Sequence, residues 1–307
     1  MFNYDACGER ATRDLVSQSM YREMLAGRTT PNGGLYISMG HLWDPTSRQD
    51  VQGHGGALRS RPRVWIWPVA WSRCCRRRTT WMGGVVVKVD TSTDVSGLFY
   101  CAGEDAGGVH GANRLGGNGV ANSTVYGGIS GETMAAHLKA GLGAREPDMD
   151  AAGAAMDAAQ APFRAGKGDV NAIRDQLLDL MWDDVGIIRD KAGMERALGK
   201  LDALTEALDA AGVPDGNRAF NLSWHDWLNL RSQIAMSKVV AHAAMARENS
   251  RGSHYREDFK DPGDMATSRF TVVRKADGAL NVTTEPVQFT HVKPGETLIK
   301  DEPQAAE

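Results

Sequence analysis

The sequence lacks a long apolar run and regularly spaced cysteines. The first absence argues against a transmembrane protein, and the second argues against a disulfide-rich protein. No uninterrupted apolar stretch approaches the roughly 20 residues that a helix needs to cross a bilayer. The first residues, MFNYDACGERATRD, have no charged-then-apolar order, so they do not indicate a secretory signal. Four cysteines without regular spacing argue against a disulfide framework and for a reducing compartment. We expect a cytoplasmic protein without a transmembrane segment.

The chain also lacks a large charge of either sign. Its 307 residues carry a net charge of −3, with 42% hydrophobic and 24% charged residues. This composition is typical of a globular protein of one large or two modest domains. Because no global positive charge favours a polyanion, we expect no nucleic acid as partner.

One segment is unlike the rest. No acidic residue lies between Asp50 and Asp90, whereas five of the eight tryptophans and two of the four cysteines lie within residues 43–81. The centre of this segment reads PRVWIWPVAWSRCCRRRTTW. It is either a specialised basic and aromatic element or a product of a shifted reading frame.

Elsewhere the hydrophobic pattern predicts a regular order of elements. Residues 10–28 have apolar side chains at helical spacing, and residues 83–90 (GGVVVKVD) are strand-like. A long glycine-rich loop then leads into a helix that begins near Asn118 and ends near Leu138. Three amphipathic helices over 169–190, 194–212 and 223–249 predict an antiparallel bundle, and Asp277-Gly278 predicts a hairpin.

The glycine loop GLFYCAGEDAGGVHGANRLGGN resembles the flavin- and substrate-binding signature of the fumarate reductase/succinate dehydrogenase flavoprotein family, which includes L-aspartate oxidase. Other segments resemble the same family in the same order. ATRDLVSQSMYREMLAGR resembles a helix of its capping domain, and MGGVVVKVD resembles its returning strand. RENSRGSHYREDF and VQFTHVKPGETL resemble the close of its C-terminal helical domain and its tail.

The resemblance implies FAD as cofactor, a C4 dicarboxylate as substrate and the site residues of the family. Arg114 in GANR matches the clamp on a substrate carboxylate, a task that suits the planar guanidinium fork. Arg13 in ATRD matches the catalytic proton donor, a role that requires burial beside other positive charge. Glu104 matches the glutamate that binds the ribityl chain, and Gly119 and Val120 fall where backbone groups meet the isoalloxazine. No metal ligands are expected.

Two departures and one absence set this chain apart. Gly119 replaces the family's usual serine after GGN, and the interval from Glu104 to Arg114 is one residue shorter than in the best-known dicarboxylate enzymes. No GxGxxG motif follows a strand, although the family binds the ADP part of its flavin with such a unit. The chain therefore resembles the C-terminal half of a flavoprotein and begins inside its capping domain.

These observations predict an α+β fold in which a partial flavin-binding and capping region precedes a C-terminal antiparallel helical bundle. We expect a remnant of the capping domain over 1–42 and the anomalous segment over 43–81. The C-terminal part of the flavin-binding domain follows over 82–142, the helical bundle over 143–260 and an extended tail over 261–307. His254 and Arg256 in GSHYRED are expected to dock the helical domain against the cap.

The anomalous segment is best interpreted as a compensated frameshift. His41-Leu42 and Met82-Gly83 match the family on either side, and the codons of VWIWPVAWSRCCRRRTT permit LDLAGGLVEVLPTAHY in another frame. That shifted sequence contains the family's substrate-binding histidine. Alternatively, the seven arginines from Arg59 to Arg78 with interleaved tryptophans form a nucleic-acid or membrane patch, or Cys74-Cys75 binds a metal. We expect this segment to be disordered or to aggregate.

The predicted function is that of an FAD-dependent oxidoreductase of the succinate/fumarate type, with weak or no FAD binding and no turnover by this chain alone. An enzyme similar to L-aspartate oxidase and a non-catalytic interaction module are the alternatives. The expected partners are a dicarboxylate and either an iron–sulfur electron-transfer subunit or a separately encoded N-terminal half. We expect the protein in the cytoplasm, with a peripheral position on the cytoplasmic side of the membrane in an assembly with an electron-transfer subunit.

Overall fold

The computed structural model describes residues 2–8, 11–31, 33–37, 67–69, 82–95, 103–115, 117–141 and 146–296. The chain divides into two compact units, Met1–Trp81 and Met82–Glu307. The predicted domain boundaries at residues 42, 142 and 260 stay predictions.

Among its described residues, the first unit contains one helix and a small antiparallel sheet. Helix α1 (Arg13–Leu25) confirms the helix predicted over residues 10–28, and Gly27 with φ 74° follows its end. Strand β1 (Leu35–Ile37) pairs with β2 (Trp67–Val69). Apart from Trp67–Val69, the anomalous segment 43–81 lies outside the described residues, and so do the predictions made for it.

The second unit is built of helices, two short strands and a hairpin. The long helix α2 (Asn118–Lys139) begins and ends as predicted. Its other elements are α3 (Met149–Gln160), a 3₁₀ turn (Ala161–Phe163), β3 (Gly166–Lys167), α4 (Val170–Asp183), α5 (Lys191–Ala210), β4 (Ala211–Gly212), α6 (Leu222–Ala246), β5 (Arg269–Ala276) and β6 (Ala279–Pro286). The chain is α+β, as predicted.

The hydrophobic core lies among helices α4, α5 and α6. Each begins at a side chain that accepts a hydrogen bond from its first turn: Asp169, Asp190 and Asn221. Leucines at spacings of three and four, such as Leu177, Leu180, Leu201, Leu204 and Leu208, are buried. Burying a leucine contributes about 1.5–3 kcal/mol, so this cluster dominates the stability of the domain. The three helices predicted here are confirmed.

Trp227 joins two of these helices. It is buried, and its Nε1 donates to the carbonyl oxygens of Leu208 (2.9 Å) and Ala211 (3.0 Å). These carbonyls lie where α5 ends, so the indole satisfies groups that the helix leaves unpaired.

Two expectations differ from the structure. The predicted strand over residues 83–90 is reduced to one parallel bridge, Val85 with Ala106, followed by a turn in which Thr91 has φ 67°. Helix α3, which begins after Asp148, was not predicted as a separate element, although helical structure was expected from residue 150 onward; its sequence MDAAGAAMDAAQ consists largely of alanine. It has no buried residue.

The C-terminal hairpin is confirmed at its predicted turn. Strands β5 and β6 pair in register from Arg269–Pro286 to Ala276–Ala279. Asp277 (φ 52°) and Gly278 (φ 80°) form the two-residue turn with positive φ that hairpins favour.

Candidate functional site

The glycine loop is fixed against the segment that precedes it. Val85 N donates to the Asp105 carbonyl oxygen (2.7 Å), and Gly107 N donates to the Val85 carbonyl oxygen (2.9 Å). A Cβ at Gly84 would lie 2.3 Å from that Asp105 oxygen, so only glycine permits this approach. Glu104, which directly precedes Asp105, is exposed.

Asn122 ties the loop to the first turns of α2. It is 5% exposed, and its Nδ2 donates to the Gly103 carbonyl oxygen (3.1 Å) while lying 3.2 Å from His110 Nε2. Because Nδ2 carries two hydrogens, it can donate to both groups. This contact joins the loop at His110 to the first turn of α2.

Arg114 lies beside the N-terminus of α2. A Cβ at Gly119 would be 3.2 Å from Arg114 Nη1 and 3.7 Å from its Cζ. The N-cap residue is Gly117 with φ 83°, and no side chain caps the helix. Within the described ranges, the buried Nε of Arg114 has no hydrogen-bond partner. Backbone N–H groups and a guanidinium thus converge where a carboxylate would accept from both.

A C-terminal loop supports the same segment from a distant part of the chain. Ser253 N and Oγ both donate to the Ala112 carbonyl oxygen, at 2.9 and 3.0 Å. Gly252 has φ 54°, and a Cβ there would lie 2.4 Å from that oxygen. The GANR segment is therefore positioned by the helical domain as well as by its own loop.

His254 and Arg256 act inside the helical domain. Arg189 Nη1 donates to His254 Nδ1 (2.9 Å), so His254 Nε2 donates to the Arg247 carbonyl oxygen (3.2 Å). Burial, followed by the positive charge of Arg189, lowers the pKa of His254 to about 3. These contacts stabilise the end of α6, and the expected docking against the cap stays a prediction.

The predicted site residues fall into the two units. Arg114, Gly119 and Val120 lie together in the second unit around the start of α2, and Glu104 lies in the loop that Asn122 holds. Arg13 is the first residue of α1 in the first unit and is exposed. Its described surroundings do not provide the burial that we expect of a proton donor, and its catalytic role stays a prediction.

Asn122 and Ser253 are the site-supporting residues that the sequence interpretation missed. Neither belongs to a spacing pattern. The contact of Ser253 with Ala112 joins residues 141 positions apart, which no local motif can indicate.

A cleft of about 210 Å³ adjoins this arrangement and is lined by Val109, His110, Asn118, Ala121, Asn122, Val125 and Tyr126. Pockets for drug-sized ligands have volumes of roughly 300–1,000 Å³, so the cleft is too small to enclose a dinucleotide. The residues present could hold part of FAD, because the uncapped start of α2 and the glycine loop suit the polar edges of the cofactor. No glycine motif for its phosphates is present in the sequence.

In the described parts of the chain, no helix is both long and apolar enough to span a membrane. Among the same residues, no group of three or more His, Cys, Asp or Glu side chains is arranged to hold a metal ion.

Two family models match the chain. One, described as the C-terminal part of fumarate reductase flavoproteins, matches residues 174–299. The other, an FAD binding domain, matches residues 72–120. The second match begins inside the anomalous segment, whose interpretation as a frameshift stays a prediction.

Individual relatives agree with these matches. A fumarate reductase (CoM/CoB) polypeptide of Methanothermobacter marburgensis is 35% identical over 268 residues, which are 85% of this chain and 47% of that protein. The fumarate reductase flavoprotein subunit of Escherichia coli is 27% identical over 314 residues, 97% of this chain and 51% of that protein. The chain thus spans about half the length of these relatives.

The fold is also similar to that of solved structures. A quinol-fumarate reductase with menaquinol molecules superposes with a TM-score of 0.73 at 26% identity, over 92% of this chain and 50% of that chain. The Sdh1 complex of Mycobacterium smegmatis in the apo form gives a TM-score of 0.67 at 27% identity, over 93% and 49% of the two chains.

Proposed function

This chain belongs to the fumarate reductase/succinate dehydrogenase flavoprotein family, and we propose that it forms the substrate-binding, C-terminal half of an FAD-dependent oxidoreductase acting on a C4 dicarboxylate. The observation that carries the proposal is the position of Arg114. Its guanidinium lies against Gly119 at the uncapped N-terminus of α2. Two kinds of donor meet there, and both favour a carboxylate.

The residues of this chain would bind and orient. Arg114 would hold one substrate carboxylate through paired N–H groups, and the backbone of Gly119 and Val120 would donate to the flavin ring. Glu104 would accept from the ribityl hydroxyls. Bound FAD would supply the hydride transfer at one substrate carbon. Arg13 would supply a proton to the adjacent carbon, a role that requires its burial in the complete enzyme.

The absence of a phosphate-binding motif leads to the second part of the proposal. The chain alone retains little FAD and does not turn over substrate, because its residues form only one wall of the cofactor site. The ADP part of the cofactor would lack its glycine-rich loop and helix N-terminus.

The names of the relatives favour fumarate or succinate as substrate, and none of the relatives described above is named for L-aspartate. By the same comparison we propose the cytoplasmic side of a membrane as location and, as partner, an electron-transfer subunit. A non-catalytic module built on the 43–81 segment would rest on residues outside those described.

The test is to purify the chain, incubate it with FAD, remove free cofactor and record the flavin absorbance. Fumarate reduction is then assayed with a reduced viologen, and fumarate, succinate and L-aspartate are titrated calorimetrically. We expect no retained flavin, no turnover and weak binding of fumarate and succinate that Arg114→Ala abolishes. A yellow protein that reduces fumarate would overturn the inactivity, and binding unaffected by Arg114→Ala would overturn the assignment of the clamp.

A further inference from the structure

Gly119 differs from the other glycines inside helix α2. A Cβ at Gly127, Gly128 or Gly131 would meet no atom within 4 Å. A Cβ at Gly119, in contrast, would lie 3.2 Å from Arg114 Nη1 and 3.7 Å from Arg114 Cζ. Non-bonded heavy atoms are optimally separated by roughly 3.5–4.0 Å. The guanidinium therefore occupies part of the space that a side chain at position 119 would take.

The loop that carries Arg114 is fixed at three points before it reaches α2. Gly107, His110 and Ala112 are held by hydrogen bonds to the preceding segment, to α2 and to the C-terminal loop, respectively. Only Asn113 separates the last of these points from Arg114. The loop therefore has little slack with which to move the guanidinium away from α2.

Two departures of this chain from its family then have one explanation. The interval from Glu104 to Arg114 is one residue shorter than in the best-known dicarboxylate enzymes, and Gly119 replaces the usual serine. A shorter, anchored loop brings Arg114 closer to the start of α2, and a residue without a Cβ makes room for its guanidinium. The second departure thus compensates for the first.

We propose that Gly119 is a positioning residue for Arg114, because it lets the shortened loop rest the guanidinium against the first turn of α2. The inference rests on the proposed function, in which Arg114 binds a substrate carboxylate. Gly119 offers no side chain to the ligand and acts through Arg114. Within the described ranges the buried Nε of Arg114 has no hydrogen-bond partner, so no acceptor holds this atom, and the contact with α2 limits where the guanidinium can lie.

A side chain at position 119 would disturb the clamp in two ways. A methyl group would push the guanidinium outward by a few tenths of an ångström, and a serine hydroxyl could also accept a hydrogen bond from Nη1. Either change displaces or occupies N–H groups that bind a carboxylate as a pair, and such pairs depend on the geometry of the fork. We therefore expect a side chain at this position to lower the affinity for a dicarboxylate without unfolding the chain.

The test titrates succinate and fumarate calorimetrically into the full chain and its variants. Gly119→Ala and Gly119→Ser should each weaken binding by about three- to tenfold, because both disturb the paired donors of the clamp. Gly127→Ala is the matched control, since it adds the same methyl group to the same helix where no atom lies within 4 Å. Its affinity should equal that of the wild type. Thermal unfolding verifies that each variant remains folded.

An insertion tests the compensation between loop length and glycine. One glycine inserted between Gly108 and Val109 lengthens the loop at a point where a Cβ at Gly108 would meet no atom within 4 Å. In the wild-type chain this insertion should weaken binding, whereas in Gly119→Ala it should recover most of the lost affinity. Losses that simply add would mean that the two positions are independent and would overturn the compensation.

A spectroscopic measurement distinguishes this inference from the proposed function. The Nε–H resonance of Arg114 in the ligand-free chain is identified by its absence from the NMR spectrum of Arg114→Lys. It should shift in Gly119→Ala and stay in place in Gly127→Ala. An unshifted resonance or wild-type affinity in Gly119→Ala would overturn the positioning role. If the resonance shifts as expected but the chain binds no dicarboxylate, the positioning role stands and the proposed function fails.

Discussion

The guanidinium of Arg114 lies so close to Gly119 that a Cβ at position 119 would be 3.2 Å from Nη1. The family's usual serine at this position would place a hydroxyl in the same space. With glycine, the arginine can rest directly over the first turn of α2, where positive backbone groups and a positive side chain repel each other. A bound carboxylate would relieve this repulsion, which gives the pair a preference for an anionic ligand.

Arg114→Ala should therefore weaken the binding of a dicarboxylate while leaving the stability of the chain nearly unchanged. The Nε of Arg114 has no partner among the described residues, so we expect the free energy of unfolding to change by less than about 0.5 kcal/mol. Dicarboxylate affinity, measured by calorimetry on the purified chain, should fall by about 10–100-fold, because charge-assisted hydrogen bonds contribute about 1.5–3 kcal/mol.

Arg114→Lys is the matched control. It keeps the charge and loses the planar fork, so its affinity should lie between those of the wild type and the alanine variant. If lysine binds as well as arginine, a point charge suffices and the bidentate clamp is rejected.

Local patterns predicted those elements whose cause is local. Helix α2, the three core helices and the hairpin at Asp277-Gly278 each depend on spacing, capping or turn residues within a short window. Helix α3 was not predicted as a separate element because its apolar residues are mostly small alanines, and none of its residues is buried. The run over 83–90 was predicted as a strand because three consecutive valines favour extended structure, yet only Val85 finds a paired neighbour.

The candidate site could be predicted from the sequence only in part. The resemblance located Arg114 and Gly119, and the structure places them side by side. Asn122 and Ser253, which hold the loop, could not be predicted because their partners are set by tertiary packing. The predicted site residues lie in both units, which is why sequence order alone could not describe one complete site.

His254 makes stability depend on pH. Its pKa is lowered to about 3 from an ordinary value of 6.5, chiefly by burial and then by Arg189, so the folded chain excludes a proton that the unfolded chain binds. The contribution of His254 to the free energy of unfolding is fully present above pH 6.5 and is lost as the pH falls from 6.5 towards 3. At pH 5 the loss should be about 2 kcal/mol, measured by urea unfolding at a series of pH values.

His254→Gln provides the control for this pH dependence. Glutamine can accept from Arg189 and donate to the Arg247 carbonyl oxygen without titrating. The loss between pH 7 and 5 should largely disappear in this variant. An unchanged slope would mean that other groups titrate in this range.

Arg256 should be the most costly single polar residue to remove. It is buried, its Nη1 donates to the carbonyl oxygens of Ala244, Met245 and Arg247, and Nε and Nη2 bind the carboxylate of Asp258 at 2.7 and 2.6 Å. Arg256→Met removes the guanidinium donors of these carbonyls and of the carboxylate, which then keeps only the backbone N–H of Lys191, so we expect a loss of about 3–5 kcal/mol in urea unfolding.

Two measurements check the cause. Arg274→Ala breaks an exposed pair with Glu285 and should cost less than about 1 kcal/mol. The hydrogen bonds from Arg256 lower the pKa of Asp258 to about 2 from 3.8. In Arg256→Met this pKa should rise towards 3.8, measured by NMR titration. A pKa that stays near 2 would assign the shift to the backbone N–H of Lys191 instead.

Gly128→Ala should stabilise the chain. A Cβ at Gly128 meets no atom within 4 Å, so alanine introduces no clash and restores helix preference, raising the free energy of unfolding by about 0.5–1 kcal/mol. Thermal and urea unfolding of the wild type and the variant measure this difference. A loss of stability would mean that the added methyl group meets a neighbouring group at this position.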